Sequence, residues 1–430
     1  MKRNVQRIIS ILASVLMVFN TIPISAFADA EITYQNGLPV SIAEGALTPQ
    51  QILGPAVEFG VVANKYNQTG HTETNFAVKH FQINNSQSIE IMGSGDAPIP
   101  FYVGKLDGNT YFWNGEATNV TFDVFINKNQ SSKGPTNSNA NVRYSRTNPP
   151  TNVYPREESE INTYVDTLIS YPERMSTLMS QKSTYTPTFA PNNKTIDLTG
   201  PAFSQAKNGT IYVNCANMKN IMSQDGWEII KYEGQTIVFN MPDGGNYDIK
   251  KFKVTVKNEG GGTVVSGLES RTVEKNGDPS HNGKVEKYIL NHIVFNAYNA
   301  SSLSIDTAAG IFLAPKATVN QNNGAGAGWV MTRKDFNSTA EWHYYFKSRN
   351  YQAYVEKGVN ISKTFKYQDG SELPANLKNK VFTFKMDEVD GNTFQIKNGN
   401  NTYHETVTGK AGDKIEFPYF GISNTDFRCK

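Results

Sequence analysis

Three groups of residues have the types and spacing to do chemistry. The first is the run "HTETNFAVKH", which places His71, Glu73 and His80 within ten positions. Imidazole and carboxylate can hold a metal or move a proton. Along a strand, alternate residues share a face, so His71 and Glu73 lie together and His80 opposite. No second cluster in the sequence completes a tetrahedral set, and the expected role of His71 and Glu73 is structural, as satisfied polar groups at the end of a stack of strands. The second group is "EWHYYF", where Glu341 and His343 again share a strand face. They suit an acid–base pair if they meet a pocket, and otherwise a hydrogen-bonded structural pair. The third is "GAGAG", Gly324 to Gly328, which resembles a phosphate-binding loop at first sight. It lacks the following Lys-Ser/Thr, and "WVMTR" after it alternates as a strand, so a tight corner is expected rather than a cradle.

Two weaker candidates complete the inventory. Asp243 and Asp248 in "MPDGGNYDIK" are rich in oxygen donors, but their spacing is not that of a calcium hand. Cys215 in "YVNCANM" has no evident activating partner and reads as a buried, inert thiol. No catalytic residue, metal or cofactor is therefore assigned from the sequence.

These residues sit in a chain with a legible itinerary. Lys2, Arg3 and Arg7 precede the apolar run "IISILASVLMVF", and small residues follow at 26–30, the pattern of a cleaved secretory signal over residues 1–30. The run is short for a membrane span, so no stable span is expected after cleavage. Without residues 1–30, Lys+Arg falls from 41 to 38 and Asp+Glu from 39 to 38. That balance gives no basic surplus for nucleic acid or anionic membranes. The only cysteines are Cys215 and Cys429, so the folds must rest on cores and backbone ladders rather than disulfides.

Residues 31–354 read as mostly β. Short alternating segments such as "NFAVKHFQI", "GTIYVNC", "QTIVFNMP", "SLSIDT" and "GIFLAPKATV" are separated by Gly, Asn, Asp or Pro. No βαβ alternation appears, which leaves a sandwich or a β-solenoid. The run of strand and corner beside one long helix favours the solenoid. That helix is expected over 157–182, from the spacing of Ile161, Val165, Leu168, Met175 and Leu178. Pro172 should kink or split it. Residues 131–155, rich in Ser, Asn and Pro, read as a long surface loop. From 355 to 430 strong alternation and a "DG" turn return, a partial C-terminal β-sandwich domain.

Several of these strings resemble a known family, the choice-of-anchor A domains of bacterial surface adhesins. They are "LGPAVEFGVVANKYNQTGHTETNFAVK", "HIVFNAYNASSLSIDTAAGIFLAPKATV" and the "GAGAGWVMTR…EWHYYF" continuation. The resemblance implies a right-handed β-helix of the ice-binding-like adhesive kind, with a long helix packed along it. It implies signature residues with structural roles: Gly70, His71, Glu73, Asn75, Gly310, Leu313, Ala314, Pro315, Gly328, Glu341 and His343. The tail, with "VNISKTF" and "VFTFKM", resembles the isopeptide-forming repeats of Gram-positive pilins, which would make Lys363 the cross-linking lysine. The glutamate and final-strand asparagine of that repeat do not appear before Lys430, so the repeat reads as truncated and no bond is assigned to Lys363.

The expectation is a secreted, cell-surface adhesin of a Gram-positive bacterium, binding an extracellular host, matrix or glycan ligand without catalysis or cofactor. The alternatives are a polysaccharide lyase or hydrolase on the same scaffold, and a purely structural spacer. A hydrolase would need two acids in a cleft within about 10 Å of each other.

Overall fold

The computed structural model describes residues 30–343 except 31, 36, 71, 84–87, 91–98, 108–109, 114–121, 136–137, 145–150 and 271–283, and a few backbone strands between 355 and 422. His71 and Lys363 fall outside the described residues.

Among the described residues the chain is mostly β, and its main sheet has 19 strands paired in parallel throughout. Residues at equivalent positions line up across many strands. One such row runs Tyr247, Leu303, Val319, Phe336, Tyr66, Phe81, Leu106, and all seven are buried. The next residue of each strand points the other way, giving Asp248, Ser304, Asn320, Asn337, Asn67, Gln82 and Asp107 on a half-buried polar face. Strict alternation in sequence thus becomes a core on one side and a polar surface on the other. Deeper in the stack Phe239, Phe295 and Phe312 lie face to face, with centroids 5.4 and 5.0 Å apart. Identical residues on successive parallel strands stack because their backbones repeat.

The order of strands in space differs from their order in the chain. The strand Gly326–Ser338 near the end of the domain pairs with Val61–Gln68 near its start. Two stacks, one built from residues 61–156 and one from 210–343, therefore join end to end. The helix Glu158–Ser180 makes this possible by carrying the chain from one extremity to the other. At 23 residues it is about 34 Å long. The row Asn240, Asn296, Leu313, Met331, Val62, Ala77, Tyr102, Phe125 crosses seven strand spacings, also about 34 Å.

The helix begins with a capping box in which Glu157 and Glu160 exchange bonds with each other's backbone, and it buries Ile161, Val165, Leu168, Met175 and Met179. It runs unbroken through Pro172, so of the expected kink or split the split does not occur. Pro172 is buried with Ile169 against Leu313, Pro315 and Met331, and that packing offsets the hydrogen bond the ring cannot make. Polar anchors secure the rest. Arg333 donates from Nε to Glu173 (2.7 Å) and from its terminal nitrogens to Asp166 and Ser170 (both 3.0 Å). Lys79 pairs with Asp166 at 2.7 Å. At the far end Asn240 Nδ2 donates to the Met179 carbonyl (2.9 Å), and Asn296 donates to Ser176 O (2.9 Å) and Asn240 Oδ1 (2.7 Å).

The segment 131–155 is not simply a loop. It holds strands Lys133–Pro135 and Val142–Tyr144, and its end enters a third, Thr151–Arg156, which pairs in parallel with Phe122–Asn127. Tyr154 stacks on Phe125 at 4.8 Å, an aromatic contact hidden in a Ser/Asn/Pro-rich sequence. In "GAGAG" only Gly324 sits at a corner, with φ 64°. Gly326–Gly328 belong to the Gly326–Ser338 strand, because backbone and ring pack too closely for any side chain. A Cβ on Gly326 would lie 2.4 Å from the Trp342 ring, and one on Gly328 would lie 2.1 Å from the Gly310 carbonyl oxygen. In the tail, the described backbone forms antiparallel pairs such as Val381–Asp387 with His404–Lys410.

Gly328→Ala is expected to destabilise the domain by at least about 2–3 kcal/mol, combining backbone strain at φ 109° with the overlap. Gly200→Ala, with open space around it, should stay within about 0.5 kcal/mol. Chemical denaturation of both variants checks the contrast.

Candidate functional site

The parallel register brings Glu73 beside the last strand, in chain order, of the main sheet. Trp342–His343 pairs with Thr72–Glu73, setting His343 directly beside Glu73 across 270 residues of sequence. His343 Nδ1 lies 2.6 Å from a Glu73 oxygen, and Nε2 lies 3.3 Å from Glu341 Oε2. The side chains of His343 and Glu73 are 9% and 13% exposed, while Glu341 is 42% exposed. The imidazole is thus held between two carboxylates, one nearly enclosed and one facing solvent.

Burial alone would push the His343 pKa down. The hydrogen bonds to Glu341 and Glu73, and then the charges of both, overcome it and hold the pKa at about 9. Near neutral pH the ring is an imidazolium donating from both nitrogens, a pair of charge-assisted bonds. It has no free lone pair and is not poised as a general base. Carboxylate oxygens of Glu73 and Glu341 lie within 4.8 Å of each other, closer than the roughly 5–9.5 Å that glycoside hydrolysis uses, and both contact the ring between them.

The surroundings are buried and hydrogen-bonded. Trp342 is fully buried and donates to Gly328 O at 3.1 Å. Asn75 is buried and joins three segments, accepting from Gly60 N (3.3 Å) and donating to Glu58 O (2.8 Å) and Pro100 O (3.2 Å). Gly70 passes close to the Ala340 backbone. Gly310, Leu313 and Ala314 are buried in the stack, and Pro315 lines the small cavity beneath the helix.

The other candidates do not converge. His80 pairs with Asp107 at 2.6 Å on the polar face, on a different strand from Glu73. Asp243 pairs with Lys219 at 3.2 Å, while Asp248 sits in the polar row, its pKa raised chiefly by burial. Cys215 is fully buried and burial raises its thiol pKa, as expected of an inert cysteine.

Sequence reasoning did not single out the polar row as a unit. Asn67 Nδ2 donates to Asn337 Oδ1 (2.8 Å), and Asn337 Nδ2 donates to Asn320 Oδ1 (2.9 Å), an amide chain linking three strands. Seven strands contribute, so the row is about 29 Å long. Beside it run Asn246, Ser302 and Thr318 on one set of strands and Asp335, Lys65, His80 and Lys105 on the next. Period-2 alternation marked these residues as outward, but nothing local revealed that they fall in line. Nor was Lys231 singled out: it is fully buried, its amine pulled down to about 7 by burial and bonded to the Tyr232 and Glu233 carbonyls.

The family model pAdhesive_15, an ice-binding-like adhesive domain, matches residues 52–344. A search of curated proteins and a search of solved structures each give no match. Among the described residues no helix is long and apolar enough to cross a membrane.

His343 has a folded pKa raised from 6.5 to about 9. Its stabilising contribution is therefore fully present below pH 6.5 and is lost as pH rises through 9, a change on the order of 3 kcal/mol. Unfolding measured in chelator from pH 6 to 9.5 should show that loss in the wild type, and His343→Gln should be destabilised at pH 6 and flatter with pH.

Proposed function

Because the chain belongs to the ice-binding-like adhesive domain family, we propose that it is a secreted, cell-surface-associated adhesin of a Gram-positive bacterium. In this reading the parallel ladder is a right-handed β-solenoid head of the choice-of-anchor A kind, and the tail from 355 is a pilin-like repeat. The signal-like start of the chain and the "GHTETNF" and "GIFLAPKA" strings support it.

The observation that carries the adhesive reading is the polar row across seven strands. Amides and hydroxyls recur at the strand spacing, and the Asn320–Asn337–Asn67 chain fixes three of them in advance. Preorganised donors and acceptors on a regular grid suit a long partner with repeated hydroxyl groups, above all a glycan chain. Weak contacts repeated along the grid add up to useful avidity. Catalysis has no part in this reading, in which Glu73 and Glu341 serve to hold the His343 ring between them.

A glycan and matrix-protein array should show binding by the wild type. Asn320→Arg combined with Asn337→Arg should reduce it at least tenfold while the fold is retained. Thr263→Arg, on an exposed strand outside the main sheet, should leave it unchanged. Equal binding by both variants contradicts this placement, and no binding by the wild type favours a spacer.

A further inference from the structure

We propose that His343 and Glu341 form a divalent-cation site, with Glu73 holding the histidine ring in position. Each of the three residues offers a ligand atom, and those atoms lie within 4.8 Å of one another. The set is assembled by backbone register rather than by a mobile loop, because the strand pairing fixes His343 beside Glu73. One imidazole nitrogen with carboxylate oxygen is a donor mix that zinc and neighbouring first-row ions accept.

The geometry assigns the roles. Bonds of about 2.0–2.2 Å place adjacent ligand atoms of one ion roughly 3–3.6 Å apart. The 3.3 Å between His343 Nε2 and Glu341 Oε2 falls in that range. An ion seated there replaces the proton on Nε2, and the released proton goes to solvent. Glu73 stays on the opposite nitrogen at 2.6 Å, fixing the tautomer and raising the ring's basicity. Glu73 is thus a positioning residue. With the ring protonated the three groups sum to −1. With a divalent ion in place of that proton they sum to zero. The Glu341 side chain is 42% exposed, so water can reach the ion from the Glu341 side. This inference does not depend on the adhesive reading.

The test is zinc titration of the full chain after chelator treatment, followed by calorimetry and by the thermal midpoint. One equivalent of zinc should bind at this site and raise the midpoint. His343→Gln and Glu341→Gln should each weaken that binding more than tenfold. Glu73→Gln should weaken it by roughly 10–100-fold at unchanged stoichiometry. Glu341 is a surface residue, so its variant keeps the test valid if His343→Gln fails to fold. Zinc uptake that is the same in wild type and Glu341→Gln, or absent from both, overturns the proposal.

Discussion

The structure depends on one constraint: among the described residues the strands of the main sheet pair in parallel, and the register holds over most of each pair, shifting at Ile305/Asp306 and Thr332/Asp335. Backbone groups must find partners when buried, and here each strand supplies them to the next. Once the register is set, the row positions follow without further choice. The aromatic stack of Phe239, Phe295 and Phe312, the amide chain of Asn320, Asn337 and Asn67, and the meeting of His343 with Glu73 all share this cause. A slip of one residue would turn every one of these side chains to the opposite face.

The helix closes the arrangement. Because the chain cannot grow from residue 61 to 343 in one direction and still pair its last strands with its first, something must return it. The Glu158–Ser180 helix matches the seven strand spacings it crosses, and polar anchors hold both of its ends, Lys128 and Asn127 at Glu157 and Glu158 and Asn240 at Met179. Asn296 and Asn240 satisfy each other and the helix carbonyls inside the packed layer, where an unpaired amide would be costly. Arg333 does the same near the middle, binding two acids and a serine on successive turns.

Much of this was readable from the sequence where the signal is local. The alternation in Thr210–Asn214 and Ser302–Asp306 gave the strands, and the 3.6-residue spacing from Ile161 gave the helix. Glu341 and His343 were visible as a pair because they are two residues apart. Their partner Glu73 was visible only as a separate candidate, since no local signal reports a contact across 270 positions. Gly326 and Gly328 were read as a corner because glycine marks turns more often than close packing. Pro135 and Pro155 disguised strands at the margin of the sheet, where proline's missing donor matters less.

The register itself can be tested by a disulfide between Asn67→Cys and Asn337→Cys. These positions face each other on adjacent strands, 270 residues apart in sequence, at a separation a disulfide spans. Mild oxidation should give that cross-link in high yield by peptide mass spectrometry, while Asn67→Cys with Phe336→Cys, which points into the core, should give little. Failure of the first pair, or equal yield from both, would contradict the parallel register on which the face and the histidine site rest.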